Sequence, residues 1–104
     1  MRVKCTIGYD GTGFNGFQIQ PNMRTVQGEV ERALKRLHKG EEIKVFASGR
    51  TDAGVHAVGQ VLHFDTDLFI PEARWPQALN SLLAEDVVIQ SVSFAEDAFH
   101  ARYD

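Results

Sequence analysis

Apolar and polar residues alternate through Val3-Lys4-Cys5-Thr6-Ile7-Gly8-Tyr9, and this feature constrains the chain most: a period of two means a strand with one buried face. The period then changes. Val26, Val30, Ala33, Leu34 and Leu37 recur at helical spacing, with Thr25 placed to cap the N-terminus and Gly40, after Lys39, to stop the helix. Between these two segments, residues 10–24 are rich in Gly, Asn and Pro and read as a loop. Residues 43–48 and 60–65 read as second and third strands. A second helix opens at Trp75-Pro76, where proline suits the first turn, and is expected to run through Leu79, Leu82 and Leu83. Residues 87–94 supply a fourth strand. The order βαββαβ predicts an α+β, ferredoxin-like fold: a four-stranded antiparallel sheet with two helices on one face. The other face is left bare, and such faces commonly bind.

At 104 residues the chain is sized for one domain, which buries about two-thirds of its unfolded surface without staples. Cys5 is the single cysteine, so no internal disulfide forms and a reducing cytoplasm is the expected compartment. No apolar run is long enough to cross a bilayer, and Met1-Arg2-Val3-Lys4 lacks the apolar core of a signal peptide. The net charge of −3 divides unevenly: residues 1–52 carry +3 and residues 53–104 carry −6. A uniformly basic nucleic-acid binder is excluded, although the basic half could face a polyanion. Arg32, Lys35, Arg36 and Lys39 fall on one segment and fit a solvated helix face equally well.

Three motifs have bland readings that outweigh the chemical ones. Gly11-Thr12-Gly13-Phe14-Asn15-Gly16 matches the dinucleotide fingerprint in form, but no helix opens at its third glycine, so a flexible glycine-rich turn fits better. Phe14 and Phe17 beside it are then expected to be exposed as a contact surface. His38, His56, His63 and His100 show no zinc-type spacing, and only His63-Phe64-Asp65 sets two possible ligands on one strand face; no metal is expected. Cys5 lies in the apolar phase of its strand, which argues against a nucleophile. The richest segment is Gly49-Arg50-Thr51-Asp52-Ala53-Gly54-Val55-His56-Ala57. It fits a local Arg50–Asp52 ion pair or an Asx-turn. It fits equally a catalytic carboxylate with an arginine for phosphate or base contact.

These residues resemble the tRNA pseudouridine synthase A family. The resemblance rests on five ordered blocks: the run from Tyr9 to Gln20, Thr25-Val26-Gln27, the Arg-Thr-Asp loop, Ala78-Leu79-Asn80, and Phe99-His100-Ala101-Arg102. It covers essentially the whole chain, with Phe17 standing where the family often has tryptophan. It implies isomerisation of uridine to pseudouridine at positions 38 to 40 of the tRNA anticodon stem-loop, without cofactor or metal. Asp52 would be the catalytic carboxylate, attacking the sugar C1′ or base C6 or removing a proton after the base has turned. Arg50 would hold the flipped geometry, since the target base must leave its stack. Thr51, His56, Arg24, Lys4 and Phe14 are the further candidates for RNA contact, Arg24 and Lys4 on charge and position alone.

The resemblance also implies a second, similar half that continues the sheet, carries the aromatic residue packing on the uracil and supplies the basic partner of the aspartate. Residues 1–94 are accordingly expected to be a catalytic half-domain and residues 95–104 the start of a joining segment. Alone, such a half is expected to fold but turn over poorly or not at all. Full-length members are expected to be homodimers that grip tRNA. Two other classes share the element order. An RRM-type RNA-binding module needs stacking aromatics, whereas the third strand offers Val61, His63 and Asp65 on one face and Leu62 and Phe64 on the other. An acylphosphatase-like hydrolase is similar at Val26-Gln27-Gly28, but Glu29-Val30-Glu31-Arg32 breaks its pattern.

Overall fold

In the computed structural model, which describes residues 1–49, 51–96 and 101, the apolar phase of the first strand forms the floor of the core. Strand β1 (Arg2–Tyr9) turns Val3, Cys5 and Ile7 to one side, each fully buried. It lies between β3 (Ala57–Asp65) and β4 (Val87–Ala95), while β2 (Phe46–Ala47) pairs with the outer side of β3. The sheet order is β2-β3-β1-β4 and every pairing is antiparallel. Helices α1 (Val26–Leu37) and α2 (Trp75–Asn80) contribute Val26, Val30, Leu34, Trp75 and Leu79 to the same core. The Trp75 indole meets Phe64 edge-on, 5.5 Å between centroids. Burial of each such side chain stabilises the fold by about 1.5–3 kcal/mol. The ferredoxin-like order expected from the sequence is the one observed.

Thr25 caps α1 as expected, its Oγ1 accepting the Gly28 N–H at 3.1 Å. Three boundaries differ from the sequence reading, the first two where a side chain takes a backbone partner. The strand expected over 43–48 is reduced to Phe46–Ala47, because Val45 donates its N–H to the Glu31 carboxylate on α1 (3.0 Å). Helix α2 stops at Asn80, short of Leu82 and Leu83, as the Asn80 amide exchanges two hydrogen bonds with the Ile89 backbone of β4 (2.8 and 3.0 Å). β3 begins at Ala57, before the expected residue 60. Its pairing with β1 accommodates one extra residue, Gly59, since Ile7 opposes Gln60 and Gly8 opposes Val58. Gln60, opposite Ile7, lies on the same face of the sheet as Tyr9, two residues further along β1.

The second sheet face carries a row that runs Phe46, His63, Lys4, Ser93 across the strands. Phe46 stacks on the His63 ring at 5.1 Å with 17° between planes. Ala101 lies on this face: its N–H donates to His63 Nδ1 at 3.0 Å, and the residue is buried. The expected bare face is therefore occupied at its centre. No helix among the described residues is long and apolar enough to cross a membrane.

Candidate active site at the loop before β3

In the loop between β2 and β3, residues 51–56 lie against the glycine-rich segment that follows β1. Backbone contacts join the two. Phe17 donates its N–H to Thr51 O at 3.0 Å, and Gly54 donates to Phe14 O at 3.3 Å. The Gly11 N–H donates to His56 Nδ1 at 2.8 Å. Within the loop, Val55 N–H returns to Asp52 O at 3.2 Å, closing a tight turn over residues 52–55.

The two outer glycines of the apparent dinucleotide fingerprint explain how the segments approach so closely. A Cβ on Gly11 would sit 1.9 Å from the Val55 carbonyl oxygen, and one on Gly16 would sit 2.7 Å from that of Thr51. Gly16 also has φ +82°, a left-handed conformation that costs other residues about 1–2 kcal/mol. The segment is therefore a fitted backing for residues 51–56, neither a phosphate cradle nor a flexible turn.

Asp52 is exposed at the crest of this braced loop, and among the described residues its carboxylate has no partner. Arg50 lies outside the described residues, and with it the Arg50–Asp52 ion pair. Thr51 is half-buried, its Oγ1 2.8 Å from the Tyr9 hydroxyl, which also donates to Gln60 Oε1 at 2.7 Å. Gln60 Nε2 in turn donates to the Gly49 carbonyl. The His56 ring is exposed, yet Nδ1 accepts from Gly11, which fixes the neutral ring as the Nε2–H tautomer. Asp10 Oδ1 lies 3.2 Å from the same nitrogen. The Thr12 hydroxyl and amide hold the Asp10 carboxyl below its ordinary value.

The remaining candidates have other engagements. Phe14, expected to be exposed for RNA contact, is buried with Phe17; both rings pack around Tyr9 at 6.3–6.4 Å. This corrects the sequence reading: the loop folds its aromatics inward because they shield the strand end. Arg24 lies over the Phe14 ring at 4.0 Å and makes a two-pronged pair with Asp86 (2.7 and 2.8 Å). Its guanidinium holds the Asp86 carboxyl below the ordinary carboxylate value. Lys4 is five residues up β1 from Tyr9, about 17 Å along the strand, and on the opposite face. The structure thus gathers Thr51, Asp52 and His56 and leaves Lys4 apart.

Tyr9 and Gln60 were missed by the sequence reading. Tyr9 reads as the last apolar position of a strand, and only the pairing of β1 with β3 reveals what its hydroxyl meets. Of the four histidines, His38 is buried and bridges Leu34 O and the Thr66 hydroxyl, each at 2.7 Å, while His100 lies outside the described residues. Asp65, paired in sequence with His63 as a possible ligand, instead binds Arg2 at 2.8 and 3.0 Å. A cavity of about 660 Å³ lies beside α1, lined by Gln27, Glu31, Arg32, Lys35 and Lys44 among others. Its charged groups are largely matched with protein partners, Gln27 to Glu31, Arg32 to Glu29 and Lys35 to Glu42. An exposed carboxylate on a loop fixed by backbone contacts is the better chemical centre, able to act as nucleophile or base.

A family model described as tRNA pseudouridine synthase matches residues 6–104. Proteins named tRNA pseudouridine synthase A are similar to the chain in Anoxybacillus flavithermus (62% identity), Oceanobacillus iheyensis (62%) and Bacillus subtilis (60%). These matches cover 98–99% of the chain but 40–42% of each relative. The chain therefore spans about two-fifths of the length of the curated relatives it matches. Matched by the family model over residues 6–104, and sharing three residues in five with these relatives along nearly its whole length, the chain belongs to the tRNA pseudouridine synthase family.

Proposed function

We propose that this chain supplies the catalytic carboxylate of an isomerase that converts uridine to pseudouridine at positions 38 to 40 of a tRNA anticodon stem-loop. Asp52 is the catalytic group. The presentation of its carboxylate, exposed on a loop whose backbone is pinned at Thr51, Gly54 and His56, carries the reading. In the reaction the N1–C1′ bond breaks, the uracil turns, a C5–C1′ bond forms, and the C5 proton leaves while N1 regains one. A fixed carboxylate serves either the attack or the proton removal without reorganising. Arg50 holds the vacated stack, and Thr51 and His56 shape the loop from which Asp52 acts.

Residues 1–94 form the half-domain that carries the loop, and residues 95–104 begin the segment joining it to a second half. Residues in that half complete the pocket. The working protein is a cytoplasmic homodimer. The twofold-plus greater length of the relatives supports this division. Tritium release from tRNA labelled at uridine C5 tests the proposal. It uses this chain and an extended protein in which the chain is joined to the portion of the Bacillus subtilis relative that it does not match. Release by the extended protein, lost on Asp52→Ala, is expected, with little or none from the 104-residue chain. Release that survives Asp52→Ala would remove Asp52 from the chemistry. Binding of tRNA without release from either form would favour a non-catalytic RNA-binding module.

A further inference from the structure

The hydrogen bonds around the Tyr9 hydroxyl have one consistent direction. Gln60 Nε2 faces the Gly49 carbonyl, so its Oε1 faces Tyr9; the reversed amide would set two oxygens against each other. The Tyr9 O–H therefore donates to Gln60, and the Thr51 hydroxyl must donate to Tyr9. The relay ties Gly49 and Thr51, the two neighbours of residue 50, to the ends of β1 and β3. Tyr9 is itself buried and flanked by Phe14 and Phe17, and burial raises its hydroxyl above the ordinary value, so the proton that the relay needs stays in place. A loop hung from two sheet strands is more sharply placed than one held by loop contacts alone.

We propose that Tyr9, acting through Thr51 and Gln60, is a positioning residue that sets the Asp52 loop for the isomerisation. This rests on the function proposed above. Tyr9 touches neither substrate nor reacting atoms; it orders the backbone on which the carboxylate is carried. Phenylalanine at position 9 would keep the ring packing and remove the centre of the relay.

Two readouts separate this role from simple stabilisation. In the extended protein, Tyr9→Phe should lower kcat about tenfold to a hundredfold with KM for tRNA changed less than twofold, the pattern of a misplaced catalytic group. Gln60→Leu should do the same, and the double variant should lose no more than the worse single one, because both cut one relay. In the 104-residue chain, Tyr9→Phe should speed amide exchange about threefold to tenfold at Phe17 and Val55, whose N–H groups bond Thr51 O and Asp52 O, and leave Cys5 unchanged. Unchanged kcat in Tyr9→Phe and Gln60→Leu, or unaltered exchange at Phe17 and Val55, overturns the proposal. An extended parent without turnover overturns the functional reading and the positioning role together. The exchange arm reads the brace independently, so the two failures are told apart.

Discussion

Replacing Gly11 with alanine would put a methyl carbon 1.9 Å from the Val55 carbonyl oxygen, 2.5 Å from its carbon and 2.9 Å from its nitrogen. Side chains essentially never approach closer than 3.0 Å, so the backbone at Val55 must retreat by at least about 1.1 Å. Nothing flexible lies in the way: all three contacts are backbone. Gly11 does not have a positive φ, so the cost comes from the contact and not from strain in its own backbone. The retreat pulls His56 from the Gly11 N–H and loosens Gly54 N–H from Phe14 O. Losing these bonds, partly recovered by water, costs about 2–4 kcal/mol. Urea unfolding of the 104-residue chain, followed by circular dichroism, measures it. Gly49→Ala is the internal control, because nothing lies within 4 Å of its added carbon and its φ is not positive; it should stay within about 0.5 kcal/mol of the parent. A Gly11→Ala variant as stable as Gly49→Ala would refute the idea that the glycine-rich segment is a close-packed backing for the Asp loop. In the extended protein, the same 1 Å displacement should cost about a hundredfold in turnover.

Other expectations follow from single contacts. Asp86→Asn should destabilise by about 1–2 kcal/mol near neutral pH, combining a partly solvent-screened ion pair with looser stacking of Arg24 on Phe14. Because Arg24 lowers the native Asp86 pKa, the parent keeps this stabilisation above the ordinary carboxylate value of 3.8 and loses it as pH falls through the lowered native value. Urea midpoints between pH 2 and 6 should therefore fall less steeply in Asp86→Asn; equal slopes would contradict the assignment. Burial pushes the Cys5 thiol up to about 12, so iodoacetamide at pH 8 should label it only after unfolding, and rapid native labelling would show an open strand. Thr66→Val removes the partner of buried His38 Nε2 and should cost about 1–3 kcal/mol by the same urea assay.

Local pattern made the fold legible, and tertiary contact made the site only half so. Val3, Cys5 and Ile7 declare a strand with one buried face, and Thr25 with its apolar followers declares a capped helix; both decisions are made within a few residues. Where Glu31 takes the Val45 N–H, or Asn80 takes both polar groups of Ile89, an element ends for reasons that lie 9–14 residues away. Periodicity does not register such partners. The same limit explains the glycine-rich segment: Gly11 and Gly16 are glycines because residues 51–55 press on them, a contact some 35–45 positions distant in the chain. Without that contact Phe14 and Phe17 look like exposed loop aromatics, although they cover the Tyr9 ring. Asp52 stands out as a candidate in the sequence because the resemblance attaches chemistry to the Arg-Thr-Asp loop. Tyr9 and Gln60 carry no such mark: strand alternation gives each a face, but that the two side chains meet appears only in the pairing of β1 with β3.

The central claim is that Asp52 performs the isomerisation from a loop whose shape does not depend on its own side chain. Pseudouridine is isomeric with uridine and is marked by its stable carbodiimide adduct, so primer extension locates it base by base on tRNA. With the extended protein, adducts should appear at positions 38 to 40. With Asp52→Asn they should vanish, while the urea midpoint stays within about 0.5 kcal/mol of the parent's stability, as expected for an exposed side chain. Adducts of undiminished yield from a folded Asp52→Asn protein would contradict the account.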